Sequence, residues 1–171
     1  MPPIFENNAQ RDQYFMFEAL KEAKKAFKKE EVPVGAVLVQ NDKIIARGSN
    51  QVEMLKDATA HAEMLCLTAG SSALSNWRLL KTTLYCTLEP CTMCAGAMLL
   101  SRIQTLVWGA PDLRHGANGS WIDLFTNDHP FHQIEVRSRV LEEECSLLMR
   151  SFFQTRRQKS INSVFGSDES A

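Results

Sequence analysis

The chain predicts an α/β protein, a β-sheet covered by helices on both faces. Three observations carry this. Short β-rich runs alternate with helical stretches along most of the chain. Its 171 residues, 44% hydrophobic and 23% charged, are ordinary for one globular domain with a proper core. No internal repeat or low-complexity segment breaks the pattern. Residues 1–159 read as a single domain and 160–171 as a polar, frayed tail.

The elements follow in order. Over residues 9–30, Phe15, Ala19, Ala23, Ala26 and Phe27 recur at helical spacing, while Lys21, Lys24, Lys25, Lys28 and Lys29 fill the other face. This is an amphipathic helix, and its lysines read as a solvated face. Residues 34–39 and 43–48 are β-rich and flank Asn41-Asp42, a hairpin signal weaker than Asn-Gly. Residues 51–59 read as a loop and 60–74 as a helix. Residues 82–88 form a strand, and 91–101 a helix entered through Pro90, where the missing N–H does no harm. Residues 104–110 are another strand, and 111–127 a long Gly- and Asn-rich loop with at most a helical turn. A weakly alternating strand at 132–138 and a helix at 142–158 complete the chain.

The net charge of −1 gives composition no argument for nucleic acid, so any such claim needs a local basic patch. The N-terminus lacks the character of a signal or transit peptide, and no apolar segment is long enough to span a bilayer. Five cysteines, Cys66, Cys86, Cys91, Cys94 and Cys145, make a poor disulfide framework. The expectation is a reduced compartment, the cytoplasm, where a Cys-x-x-Cys pair tends to mean metal or redox chemistry.

Cys91 and Cys94 alone could be a redox pair, half of a metal site, or two buried thiols. The chain before them decides. His61 and Glu63 fall in the first turn of one expected helix, Cys91 and Cys94 in the first turn of the next, with one strand between. At i and i+3 the two cysteines share a helix face, and the partial positive charge of a helix N-terminus favours thiolates, the form that binds zinc. Two thiolates and the His61 imidazole make three ligands and leave a tetrahedral zinc one open position, the pattern of a catalytic site. Glu63 is then no ligand but a carboxylate placed to take a proton from a metal-activated water. Cys66, Cys86 and Cys145 fit packing positions.

His-x-Glu followed by Pro-Cys-x-x-Cys is the signature of zinc nucleobase deaminases. With "EVPVGAVLV", "TAHAEM", "TLYCTLEPCTMCAGAML", "WGAPD" and "FFQTRRQ" in order, the chain resembles the bacterial-type tRNA-specific adenosine deaminase family from about Tyr14 to Gln158. The resemblance implies a three-layer α/β/α fold around a mixed five-stranded sheet, a homodimer, and one Zn2+ per subunit. It implies hydrolytic deamination of adenosine to inosine at the wobble position of a tRNA anticodon, with tRNA-Arg as the expected substrate and Glu63 moving the protons. Asn50, which alone reads as a turn residue, falls on the family's pocket asparagine. Pro33, Val34 and Ala62 would line the base pocket, and backbone groups near Leu88 and Glu89 would help hold the base. Asp112 would face neighbouring nucleotides.

Phe152 and Phe153 read as core on one side, with one facing a flanking base. Arg150, Arg156, Arg157 and Lys159 form a basic run suited to phosphates, or else a solvated helix end whose cations complement the dipole. Pro111 and Phe131 depart from the family's usual residues. Two other readings stand beside the leading one. A deaminase of free cytosine, guanine or a nucleoside keeps the chemistry and changes the substrate. A zinc-stapled RNA-binding module without activity would have no use for Glu63 and would usually take a fourth protein ligand.

Overall fold

The structure, a computed structural model, describes residues 3–126 and 129–165. The first helix, α1 (Asn8–Lys28), is capped by Asn7, whose side chain accepts from the Gln10 N–H, and carries Lys25 and Lys28 in its last turn, where cations suit the dipole. It buries Phe15, Ala19, Ala23 and Ala26 of the stripe read from the sequence, with Met16 and Leu20 beside them, while Phe27 is half-buried. Strands β1 (Gly35–Gln40) and β2 (Lys43–Ser49) pair antiparallel. Asn41 and Asp42 join them with φ of 51° and 56°, the left-handed conformation that a two-residue hairpin demands and that Asn and Asp tolerate.

A short helix, α2 (Val52–Leu55), lies inside the stretch expected to be a loop. Four residues are too few to show a helical period, and it is held from outside, by Glu31. Then come α3 (Ala62–Leu74), β3 (Thr83–Leu88), α4 (Thr92–Ser101), β4 (Thr105–Ala110), β5 (Glu135–Arg137) and α5 (Glu142–Phe165). The last strand is shorter than expected and pairs only with β4, at the sheet edge. The last helix overruns its expected end at residue 158, so residues 160–165 are helical and the tail does not begin at Ser160. Lys159 is tied to Glu30 and Gln158 to Asn162, which carry the helix through a polar stretch. The remainder of the expected tail, 166–171, lies outside the described residues.

The sheet order is β2-β1-β3-β4-β5. β1 runs antiparallel to β2 and β3, while β3, β4 and β5 are parallel, which makes the sheet mixed. Alternate side chains build two cores. Val37, Val39, Tyr85 and Val107 pack against Phe15, Met16 and Cys145 of α1 and α5. Ala36, Leu38, Cys86 and Leu106 pack against Cys66 and Met98 of α3 and α4. This is the three-layer α/β/α arrangement. One buried polar cluster pins the layers: Asp12 of α1 accepts from the Tyr85 hydroxyl at 2.9 Å and from Arg137 of β5 at 2.7 Å. All five cysteines are free thiols.

The fold sets the N-termini of α3 and α4 beside the carboxyl end of β3. Gly48 is what lets α3 come so close. A Cβ there would stand 2.2 Å from the Ala62 carbonyl oxygen, so only glycine lets the first turn of α3 rest on β2.

Candidate metal centre and active site

His61 and Cys91 each occupy the residue before a helix, the N-caps of α3 and α4, in extended backbone. Both helices were expected to begin earlier, with all four chemical residues in first turns; only Glu63 and Cys94 are there. The shift matters. An N-cap side chain normally turns back to its own helix, but neither His61 nor Cys91 does so, and both face the same point instead.

The His61 Nδ1 lies 3.7 Å from the Cys91 Sγ and 3.6 Å from the Cys94 Sγ. A tetrahedral ion with zinc–sulfur bonds of about 2.3 Å and a zinc–nitrogen bond of about 2.05 Å requires a nitrogen–sulfur separation of about 3.6 Å. The three side chains fit zinc, with one coordination position to spare. Among the described residues they are the one cluster of His, Cys and acidic groups arranged to hold a metal. Electrostatics agree. The Cys94 thiol, helped by His61 and by the Cys94 N–H, holds Cys91 down at about 3, a thiolate at neutral pH. Cys94, facing that thiolate and buried, is pushed up. A dication between the two sulfurs favours both as thiolates.

Beside this cluster opens a cavity of about 520 Å³, bordered by His61, Cys91 and Glu63. That size suits a small-molecule site. Glu63 is buried, and burial pushes its carboxyl up to about 7. Of the other residues expected in the pocket, Val34, Asn50, Leu88, Glu89, Asp112 and Arg156 border it.

Four others do not. Pro33 is buried but the wall there is built by Val32 and Val34. Ala62 packs wholly into the core under β2. Phe152 is buried with its ring 5.5 Å from Phe27, so it is core and not a base contact. Phe153 is exposed, packs on Phe152 and stands outside the cavity, as does the exposed Arg157. Because α5 runs on to Phe165, the basic run lies within the helix and not in its last turn, which removes the dipole explanation for it.

Glu89 borders the cavity, yet its groups are already engaged. Its N–H donates to Ala110, and its carboxylate accepts from the N–H groups of Asp112, Asn118 and Ser120 at 3.0, 2.9 and 3.2 Å and from the Ser120 hydroxyl. It anchors the loop that forms one lip of the cavity. Gly116 makes room for it, since a Cβ there would stand 2.4 Å from the carboxylate. His115 and Trp121 on that loop also border the cavity and were not foreseen; the one signal was an aromatic and a histidine in a Gly-rich segment. Glu31, likewise unforeseen, lines the opposite wall.

Residues 9–110 match the family model for the cytidine and deoxycytidylate deaminase zinc-binding region. The tRNA(adenine(34)) deaminase of Arabidopsis thaliana chloroplasts is 57% identical over 85% of this chain, which spans only 12% of that protein's length. The tRNA-specific adenosine deaminase of Bacillus subtilis strain 168 is 50% identical, covering 87% of this chain and 92% of its own. A structure solved in a study of A-to-I editing by tRNA:A34 deaminases at the wobble position of transfer RNA superposes with a TM-score of 0.76 at 42% identity, covering 79% of this chain and 98% of that one. With the zinc-fitting triad beside a cavity that a buried glutamate lines, the chain belongs to the tRNA-specific adenosine deaminase family, within the zinc-binding cytidine and deoxycytidylate deaminases.

Proposed function

We propose that this chain converts the wobble adenosine of a tRNA anticodon to inosine, with the anticodon stem-loop of a tRNA-Arg as its substrate. The observation that carries the reading is Glu63, buried in the same cavity as a three-ligand site with an open position. The overall reaction adds water at C6 of adenine and releases ammonia. Zinc held by His61, Cys91 and Cys94 would supply the Lewis acidity that makes a water acidic near neutral pH. Glu63 takes a proton from the attacking water and places it on ring N1, then takes the second from the hydroxyl now on C6 and delivers it to the departing amino nitrogen, which leaves as ammonia. Its burial favours the protonated form, which suits a carboxyl that must hold a proton between taking it and giving it.

The base must leave its stack to reach that depth. Val32, Val34 and Leu88 offer apolar walls for its faces, and Asn50 a polar edge. On the rim, Arg156 is suited to a phosphate, and Asp112, His115 and Trp121 to the flanking nucleotides. Arg157 and Phe153 extend that surface along α5. We further infer one zinc per subunit of a homodimer working in the cytoplasm. Among the described residues no helix is long and apolar enough to cross a membrane.

The test offers the zinc-loaded protein an anticodon stem-loop with a wobble adenosine, from tRNA-Arg and from another tRNA, beside free adenosine, cytidine and guanine. Mass spectrometry reports which compound loses ammonia. The expected outcome is inosine in the tRNA-Arg stem-loop and none of the free compounds turned over. Turnover of a free compound alone would overturn the substrate assignment.

A further inference from the structure

Glu31 is 1% exposed, charged, and takes no part in the chemistry above. Its partners show what it does. Its Oε1 accepts from the Met54 N–H at 2.7 Å. Its Oε2 accepts from the Glu53 N–H at 3.2 Å and from the Asn50 Nδ2 at 3.3 Å. The two N–H groups belong to the first turn of α2, whose own N-cap residue, Gln51, makes no side-chain cap bond. One buried carboxylate therefore holds a rim helix and a cavity side chain together.

The consequence lies in the amide of Asn50. A carboxylate offers only acceptors, whereas an amide has a donor end and an acceptor end. Asn50 must turn its Nδ2 toward Glu31, because the flipped amide would set Oδ1 against a carboxylate oxygen. The Asn50 backbone is fixed as well, its N–H donating to the Val34 carbonyl at 3.0 Å. The directions of Oδ1 and of the second Nδ2 hydrogen are thereby set before any ligand arrives. Orienting a polar group in advance favours recognition, since binding then does not have to order it.

We propose that Glu31 is a positioning residue for Asn50. It locks the Asn50 amide in the one orientation that reads the base edge, and ties that orientation to the α2 rim. The inference rests on the proposed role of Asn50 in holding the base.

The test is a double-mutant cycle on the zinc-loaded protein, with Glu31→Gln, Asn50→Ala and the pair. It reads kcat and KM on the wobble-adenosine stem-loop, with zinc content and melting temperature as controls. In Glu31→Gln the side chain keeps the acceptor for the Met54 N–H but turns a donor toward both the Glu53 N–H and Asn50, and the Asn50 amide flips. Each single variant is expected to lose about tenfold in kcat/KM, the worth of one hydrogen bond, with zinc retained. The pair should lose no more than Asn50→Ala alone. Losses that multiply would overturn the inference, because Glu31 would then act by another route. Full activity in Glu31→Gln would overturn it too. If Asn50→Ala is itself fully active, the base-holding role of Asn50 fails and takes the inference with it. Should Glu31→Gln not fold, Glu31→Asp, which keeps the charge and shortens the reach by one methylene, enters the same cycle with the same expectations.

Discussion

The Nδ1 of His61 and the Sγ of Cys91 lie 3.7 Å apart across 30 residues of chain, each projecting from the residue that precedes a helix. Two helix starts thus converge on one point, with Cys94 as the third corner. Removing a corner should cost more than the roughly 10–100-fold in metal affinity typical of losing an outer hydrogen-bond partner. Cys94→Ala is expected to purify with little zinc, to make no inosine, and to melt at a lower temperature than the zinc-loaded chain. Elemental analysis checks it, and unchanged zinc content would show the ligand set to be wrong.

Glu89 fixes the opposite lip through three N–H groups and a hydroxyl. In Glu89→Gln an amide donor faces donors, so about 1–3 kcal/mol of stability should be lost. The effect should concentrate in the loop. Hydrogen exchange at the Asn118 and Ser120 amides is expected to accelerate while zinc content stays the same. Exchange that stays as slow as in the parent would remove Glu89 as the anchor.

Acid should act through Glu18. Burial works against its charge, but hydrogen bonds and charge from Lys21 and Arg47, the latter at 2.7 Å, win and leave its pKa lowered from 4.5. A lowered folded-state pKa means stabilisation that is present above the unfolded value and lost as pH falls through the folded one. Glu18→Gln should therefore be less stable than the parent at pH 7, and the gap should close as the pH is taken below 4.5. Urea unfolding at both ends measures it; a gap that widens in acid contradicts the sign.

The chemistry was the most legible part of the sequence. His61, Glu63, Cys91 and Cys94 are rare residue types at telling spacings, and the two helix starts beside them were read within two residues, with Pro90 marking the approach to α4. What was not legible depends on a single step along the backbone or on distant partners. Pro33 and Ala62 sit beside residues that do line the cavity, and one residue of rotation sends a side chain into the core instead. Glu31 and Glu89 reach backbone N–H groups 22 to 31 residues away, and no local pattern announces such a bond. The run-on of α5 was hidden because Ser160, Asn162 and Ser163 read as a tail, while the anchor at Lys159 depends on Glu30, far upstream.

The central claim is that Glu63 moves protons beside a metal it does not bind. One sample of Glu63→Gln tests it, with zinc content and inosine formation on the wobble-adenosine stem-loop measured together. The account predicts zinc at the parent's level and turnover reduced by about a thousandfold, the scale of a lost general acid–base. Turnover near the parent's rate with zinc still bound would contradict it.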